Sequence, residues 1–174
     1  MTSIYDPAKV VLKIGGTVIQ GYVEDTPFHS ITSFSRMFSF LSNFYPATVL
    51  LDGVEFPSVE HAYQAAKTHN KHWRERIREQ TSPGNAKRMG RRLRVRRDWD
   101  DVKLQVMEDL LRQKFSLYPT MKSALLATGK ALLIEGNNWG DVYWGFRDGR
   151  GENHLGKLLM QIRQELGPPP LMEG

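Results

Sequence analysis

Residues 58–67 read SVEHAYQAAK, and the reading of this stretch decides the fold. At 100° per residue, Ala62, Ala65 and Ala66 share one face of a helix. Glu60, Tyr63, Gln64 and Lys67 share the opposite face. The alanine face suits close packing of one backbone on another. The other face stacks an acid, a phenol, an amide and an amine. It is either a wet surface or the wall of a pocket. Ser58, after Pro57, is a good N-cap for this helix.

The flanking segments read as follows. ATVLLDGVEF (47–56) is a hairpin with Asp52-Gly53 as its turn dipeptide. KVVLKIGGTVIQGYVE (9–24) is a second hairpin joined at Gly15-Gly16, and 27–35 is a connector. Helices are expected at 71–80, at 83–92 after the start signal Ser82-Pro83, and at 98–115. In the last of these, Asp98 is a candidate cap and Trp99, Val102, Val106, Leu110 and Leu111 follow helical spacing. A short helix fits 118–127, and ALLIE (131–135) is a buried strand. The final helix, 153–166, places Leu155, Leu158, Leu159 and Ile162 on a core face, with Asn153 as its cap. The expected fold is therefore α+β: a mostly helical single domain around a small antiparallel sheet. The expected division is a hairpin extension (1–33), a catalytic domain (34–167) and a disordered tail (168–174).

A chain of 174 residues buries a sizeable core without covalent staples. It has no cysteine, which excludes disulfides, thiolate metal sites and a cysteine nucleophile. No signal peptide is recognised in the first residues, and no apolar run approaches a bilayer span, so a cytoplasmic location is expected. The net charge of +5 favours anionic partners. The excess is concentrated in KRMGRRLRVRR (87–97), which is either a solvated basic surface or a patch for phosphate or DNA.

Three constellations carry chemistry. On the 58–67 helix, Glu60 can move protons and Lys67 can attack an electrophilic carbon once its amine is neutral. In FSFLSNFYP (38–46), aromatics including Phe44 surround Asn43. That segment is either a core piece with a polar turn or a ring-binding wall. In GNNWGDVYWGFRDGRGEN (136–153), Trp139 and Trp144 either clamp a planar ring or are pinned into the core, with Asp141 between them. Arg147 and Arg150, with the amides of a helix capped by Asn153, are candidates for a phosphate. The histidines at 29, 61, 69, 72 and 154 lack ligand spacing, so neither a metal nor another cofactor is expected.

The motifs FLSNFYP, VEHAYQAAK, PGNAKRMGR, DWDDVKLQVM, LLATG and GENHLGKLLMQIR occur in this order. Together they resemble the NADAR family, also called the YbiA-like family, over roughly residues 36–166. The resemblance implies an N-glycosidase that hydrolyses a ribose C1′–N bond without a metal. Its substrate would be an ADP-ribosylated guanine base or a phosphoribosylaminopyrimidine intermediate of riboflavin synthesis. It also implies that Lys67 acts covalently. Glu60 is then the candidate general acid and base, and Asp141 would orient a ribose hydroxyl or assist proton transfer. Asn43, Phe44 and Tyr63 position the substrate, and Trp139 or Trp144 stacks on its base. Arg36, Arg147 and Arg150, with the amides near Asn153, hold phosphate. Two other readings stay open: a non-catalytic ADP-ribose or NAD binder, which needs neither Lys67 nor Glu60, and a nucleic-acid-binding protein working through 87–97.

Overall fold

The computed structural model describes residues 9–14, 17–22 and 29–167. Its elements, in chain order, are β1 (Lys9–Ile14), β2 (Thr17–Tyr22), β3 (Ser30–Ile31), a 3-10 helix (Arg36–Leu41), β4 (Val49–Leu51) and β5 (Val54–Phe56). Then follow α1 (Val59–Ala66), α2 (Lys71–Arg78), α3 (Pro83–Gly90), α4 (Trp99–Leu117), α5 (Pro119–Leu126), β6 (Leu132–Leu133) and α6 (His154–Leu166). The chain divides into two compact units, one of residues 42–117 and one of 1–41 with 118–174.

In the 42–117 unit, α1 is the hub. It packs on α2, α3, α4 and the β4–β5 hairpin. The hairpin turns at Asp52 (φ 50°) and Gly53 (φ 78°), the pair of positive φ values that an Asp-Gly turn supplies. Ser58 caps α1 by accepting from the His61 amide, Asn70 caps α2 through Trp73, and Ser82 caps α3 through Asn85. Helix α4 buries Met107, Leu110, Leu111, Lys114 and Phe115, a stripe at helical spacing. A lysine in that stripe is the exception to its apolar character.

In the other unit, β1 and β2 pair antiparallel from Lys9↔Tyr22 to Ile14↔Thr17. β3 pairs parallel with β6, Ser30 facing Leu132 and Ile31 facing Leu133. α6 buries Leu155, Leu158, Leu159 and Ile162. It also presents Gly156 to the Leu133 carbonyl, where any Cβ would collide. Arg163 closes the corner after α5, donating to Thr128 Oγ1 (2.8 Å) and to the Ala131 carbonyl (2.9 Å).

The helices fall where the periodicity places them. Among the described residues the strands form three separate two-stranded ladders rather than one sheet, and one ladder is parallel. The expected connector 27–35 contains β3, ahead of the expected boundary at 34, because buried Ile31 pairs with β6. The Gly15-Gly16 turn and the tail 168–174 lie outside the described residues. Among those residues no helix is long and apolar enough to cross a membrane.

Candidate active site

The α1 helix is buried on all sides. Its alanines are nearly inaccessible, as expected, but Glu60, Tyr63 and Gln64 are also only 3–5% exposed. The polar face is therefore not a wet surface. A buried carboxyl group needs a hydrogen-bond partner, and Glu60 has one in Gln64, whose Nε2 donates to Oε1 at 2.7 Å. The Glu60 amide donates to the Asn43 carbonyl at 3.1 Å, tying the aromatic loop to the start of α1. Asn43 is itself buried, and its Nδ2 meets Met107 Sδ at 3.4 Å. Two acceptors beside Glu60, Asn43 Oδ1 and Gln64 Oε1, are buried without a protein hydrogen bond. Buried polar atoms are rarely left so, and each calls for an explanation.

Lys67 is the C-cap residue of α1 and only half-buried. Helical side chains lean toward the N-terminus, and Lys67 does so: its Nζ stands 5.7 Å from the centroid of the Tyr63 ring. Tyr63 is in turn held against Trp99, with 5.1 Å between centroids and a 56° tilt. Glu60 and Lys67 are roughly 10 Å apart along the helix axis. The lysine reaches back over one turn, so part of that gap is closed. The Lys67 carbonyl accepts from the Arg96 amide at 2.8 Å, and the Arg96 guanidinium forks onto Asp98 with two 2.6 Å bonds. That fork lowers the Asp98 carboxyl to about 2.

His61 fixes the start of α1. Its Nδ1 meets Ser58 Oγ at 2.7 Å and its Nε2 meets the Gln80 carbonyl at 3.1 Å. A carbonyl only accepts, so the proton sits on Nε2 and the serine hydroxyl donates to Nδ1. Burial lowers the His61 pKa, in keeping with this neutral form.

Sequence reasoning missed three residues that hold this arrangement. Gln64 shares the polar face but acts as the clamp on Glu60. Gly90 of α3 sits against Gln64: a Cβ there would stand 2.7 Å from Gln64 Cδ. Lys114 is fully buried, donates from Nζ to the Ser42 carbonyl at 2.8 Å and lies 5.6 Å from the Tyr45 ring centroid. Burial lowers its pKa to about 7. Only the break in the α4 stripe marks it in the sequence. Phe44, next to Asn43, is 42% exposed, with Lys87 Nζ 5.8 Å from its ring centroid.

The remaining expected residues lie in the other unit. Asp141 Oδ1 accepts from the amides of Tyr143 (3.2 Å) and Trp144 (2.9 Å), and the Asn137 side chain brackets the Asp141 backbone. Its carboxylate shapes the loop. Trp144 lies near Tyr143 and His154, whereas Trp139 is 55% exposed. Arg147 donates to Asp148 and to the Asn138 carbonyl, at the mouth of a turn made by Asp148 (φ 49°) and Gly149 (φ 78°). Arg150 is exposed across that turn. Arg36 is exposed and adopts φ 51°, an unfavourable backbone state for arginine.

Asn153 corrects an expectation. It occupies the cap position with φ 52°, but its side chain makes no cap bond. It accepts from the Glu135 amide (3.0 Å) and donates to the Leu133 carbonyl (2.9 Å). The amides of 153, 154 and 155 donate to the carbonyls of Gly145, Tyr143 and Trp144. With their donors so engaged, the first amides of α6 are not an open anion cradle.

The sequence and the fold are similar to those of known proteins. The NADAR domain model matches residues 25–167, and the chain belongs to this family. It is 40% identical over 151 residues to the N-glycosidase YbiA of Escherichia coli (strain K12), covering 85% of this chain and 93% of that one. It is 38% identical over 130 residues to a riboflavin biosynthesis protein of Vibrio vulnificus (strain YJ016), covering 73% of this chain and 35% of that one. The solution structure of Escherichia coli YbiA superposes with a TM-score of 0.69 at 35% identity, over 83% of this chain and 92% of that one.

Proposed function

We propose that this NADAR protein is an N-glycosidase that hydrolyses a ribose C1′–N bond through a lysine Schiff base on Lys67. The hydrolase class is supported by the 40% identity to N-glycosidase YbiA over most of both chains. The mechanism is carried by one observation: a buried carboxylate, clamped by Gln64, shares the α1 face with a lysine that leans back toward it. The unpartnered acceptor Asn43 Oδ1 suits a sugar hydroxyl or base amine donor, whereas Gln64 Oε1 is packed against Gly90.

The steps balance as follows. Glu60, protonated, gives its proton to the nitrogen leaving C1′. The neutral Lys67 amine attacks C1′ as the C1′–N bond breaks and the base departs as its free amine; the C1′–O4′ bond then opens as one lysine N–H proton passes to O4′, which leaves an iminium to the ring-opened sugar. Glu60, now ionised, takes a proton from water as that water adds to the iminium carbon. Collapse returns the sugar and the free lysine. Tyr63 supports the lysine through its ring face. Trp139, Arg36, Arg150 and Asp141 belong to the other compact unit, and their part in substrate binding is proposed from the family resemblance alone. One substrate reading, implied by the family resemblance, is an ADP-ribosylated guanine. The riboflavin-related names of several relatives favour, as a second reading, a phosphoribosylaminopyrimidine.

The test supplies both substrates separately and follows sugar release by mass spectrometry. Lys67→Ala and Glu60→Gln are each expected to slow release at least ~100-fold while leaving binding within a few-fold. Asp141→Asn keeps the Oδ1 acceptor, so its loss of rate would report the charge alone. Release that survives Lys67→Ala contradicts the covalent lysine. Binding without release from wild type would make the protein an ADP-ribose or NAD binder.

A further inference from the structure

The 42–117 unit has a polar concavity whose walls come from α2 and α3. Its volume is about 390 Å³, and its lining includes Trp73, Arg76, Gln80, Asn85, Arg88 and Arg92. No acidic residue lines it. Elsewhere on the same helices arginines are neutralised: Arg74 pairs with Asp52, and Arg78 pairs with Glu75. Among the described residues, Arg76, Arg88 and Arg92 have no carboxylate partner. Three like charges around one hollow repel each other and return nothing to the fold. An anion placed there would relieve that repulsion.

The other contents narrow the anion. Trp73 is 37% exposed, and the Arg76 guanidinium lies 5.2 Å from its ring centroid. An exposed aromatic face beside cations is the pairing used to stack an unpaired base. Asn85 Oδ1 accepts from Arg88, which holds that guanidinium in place. The basic surface does not stop at the hollow: Arg91, Arg94 and Arg97 are exposed along the chain that leaves α3. A single phosphate does not call for that extension, whereas a backbone with repeated phosphates does.

We infer that the α2–α3 groove binds single-stranded nucleic acid, with one base stacked on Trp73 and successive phosphates on Arg76, Arg88 and Arg92. The site goes beyond the glycosidase reading and does not depend on it, since its residues are not those assigned to the reaction. Strand binding would bring a polymer-linked substrate to the protein.

The experiment is fluorescence anisotropy of the full chain with a labelled 12-nucleotide DNA strand from 50 to 300 mM salt. The expected slope of log K against log salt is about −2 or steeper, since each neutralised phosphate of a single strand contributes about −0.7. Trp73→Ala should weaken binding ~5- to 100-fold and Trp73→Phe much less, because phenylalanine still offers a stacking face. The triple change Arg76→Gln, Arg88→Gln and Arg92→Gln should flatten the slope. Circular dichroism checks that each variant is folded, and the salt slope of the triple arginine variant against wild type decides the matter if Trp73→Ala is not. The inference is overturned by no binding at 50 mM salt. It is equally overturned by affinities that ignore both sets of changes, by tighter binding of blunt duplex, or by equal binding of poly-glutamate, which would assign the groove to an acidic peptide.

Discussion

Gly90 shows how far one missing atom reaches. Gln64 is too buried to swing away, so a methyl group at 90 must displace it and break its bond to Glu60. Gly90→Ala is predicted to lower the rate of sugar release about 10-fold with little change in KM, because a misplaced catalytic group costs rate. In a Gln64→Ala background the same substitution should cost almost nothing more, since both changes act through one contact. Full additivity in that double-mutant cycle would contradict the clamp. Lys114 makes a prediction about pH. Its folded pKa of about 7 lies below the ordinary lysine value of 10.5. Between those values the unfolded chain holds a proton that the folded chain has released, so stability rises with pH across the window. Below about 7 both states are charged and the folded state bears the desolvation cost. Lys114→Met keeps the volume without the amine. Urea midpoints from pH 6 to 10 should therefore climb relative to that variant, by up to a few kcal/mol in stability. A flat difference would contradict a lysine neutralised by burial.

Among the elements, α1 and α6 begin in opposite ways. Ser58 begins α1 by a capping bond and a hydroxyl–imidazole–carbonyl relay that reaches Gln80. Asn153 begins α6 by reaching away from it, to the strand segment at 133–135. Ser58→Ala should cost ~1–2 kcal/mol, and the cost should shrink once pH falls through the lowered pKa of folded His61, because an imidazolium no longer accepts from the serine hydroxyl. Asn153→Ala should cost a similar ~1–3 kcal/mol by leaving an amide and a carbonyl unpaired, and should not alter phosphate affinity. Denaturant melts of the two variants check both statements. A large loss of phosphate affinity in Asn153→Ala would restore the anion cradle that the occupied amides argue against.

At the scale of the whole molecule, α1 and α3 were legible from their serine start signals, and α4 and α6 from a 3.6-residue repeat. Ser58, Asn70 and Ser82 are all used as caps. The α1 face was legible as unusual, but not as buried: periodicity reports two faces and cannot say that both are covered. β3 and β6 are two residues each, too short for any period to register, and their parallel pairing joins segments a hundred residues apart in the chain. Lys114 and Gly90 were invisible as functional because their effect depends on which backbone they meet. Asn153 misled because asparagine before a helix is nearly always read as a cap. The NADAR match runs through both compact units, so the family is defined by more than the α1 motif.

The most direct test of the covalent lysine is borohydride trapping of the full chain during turnover, followed by peptide mass spectrometry. With ADP-ribosylated guanine or the phosphoribosylaminopyrimidine as substrate, a reduced sugar adduct should appear on the peptide containing Lys67 and vanish in Lys67→Ala. Turnover that leaves no adduct at Lys67, or that places it on another lysine such as Lys114, would contradict the mechanism built on α1.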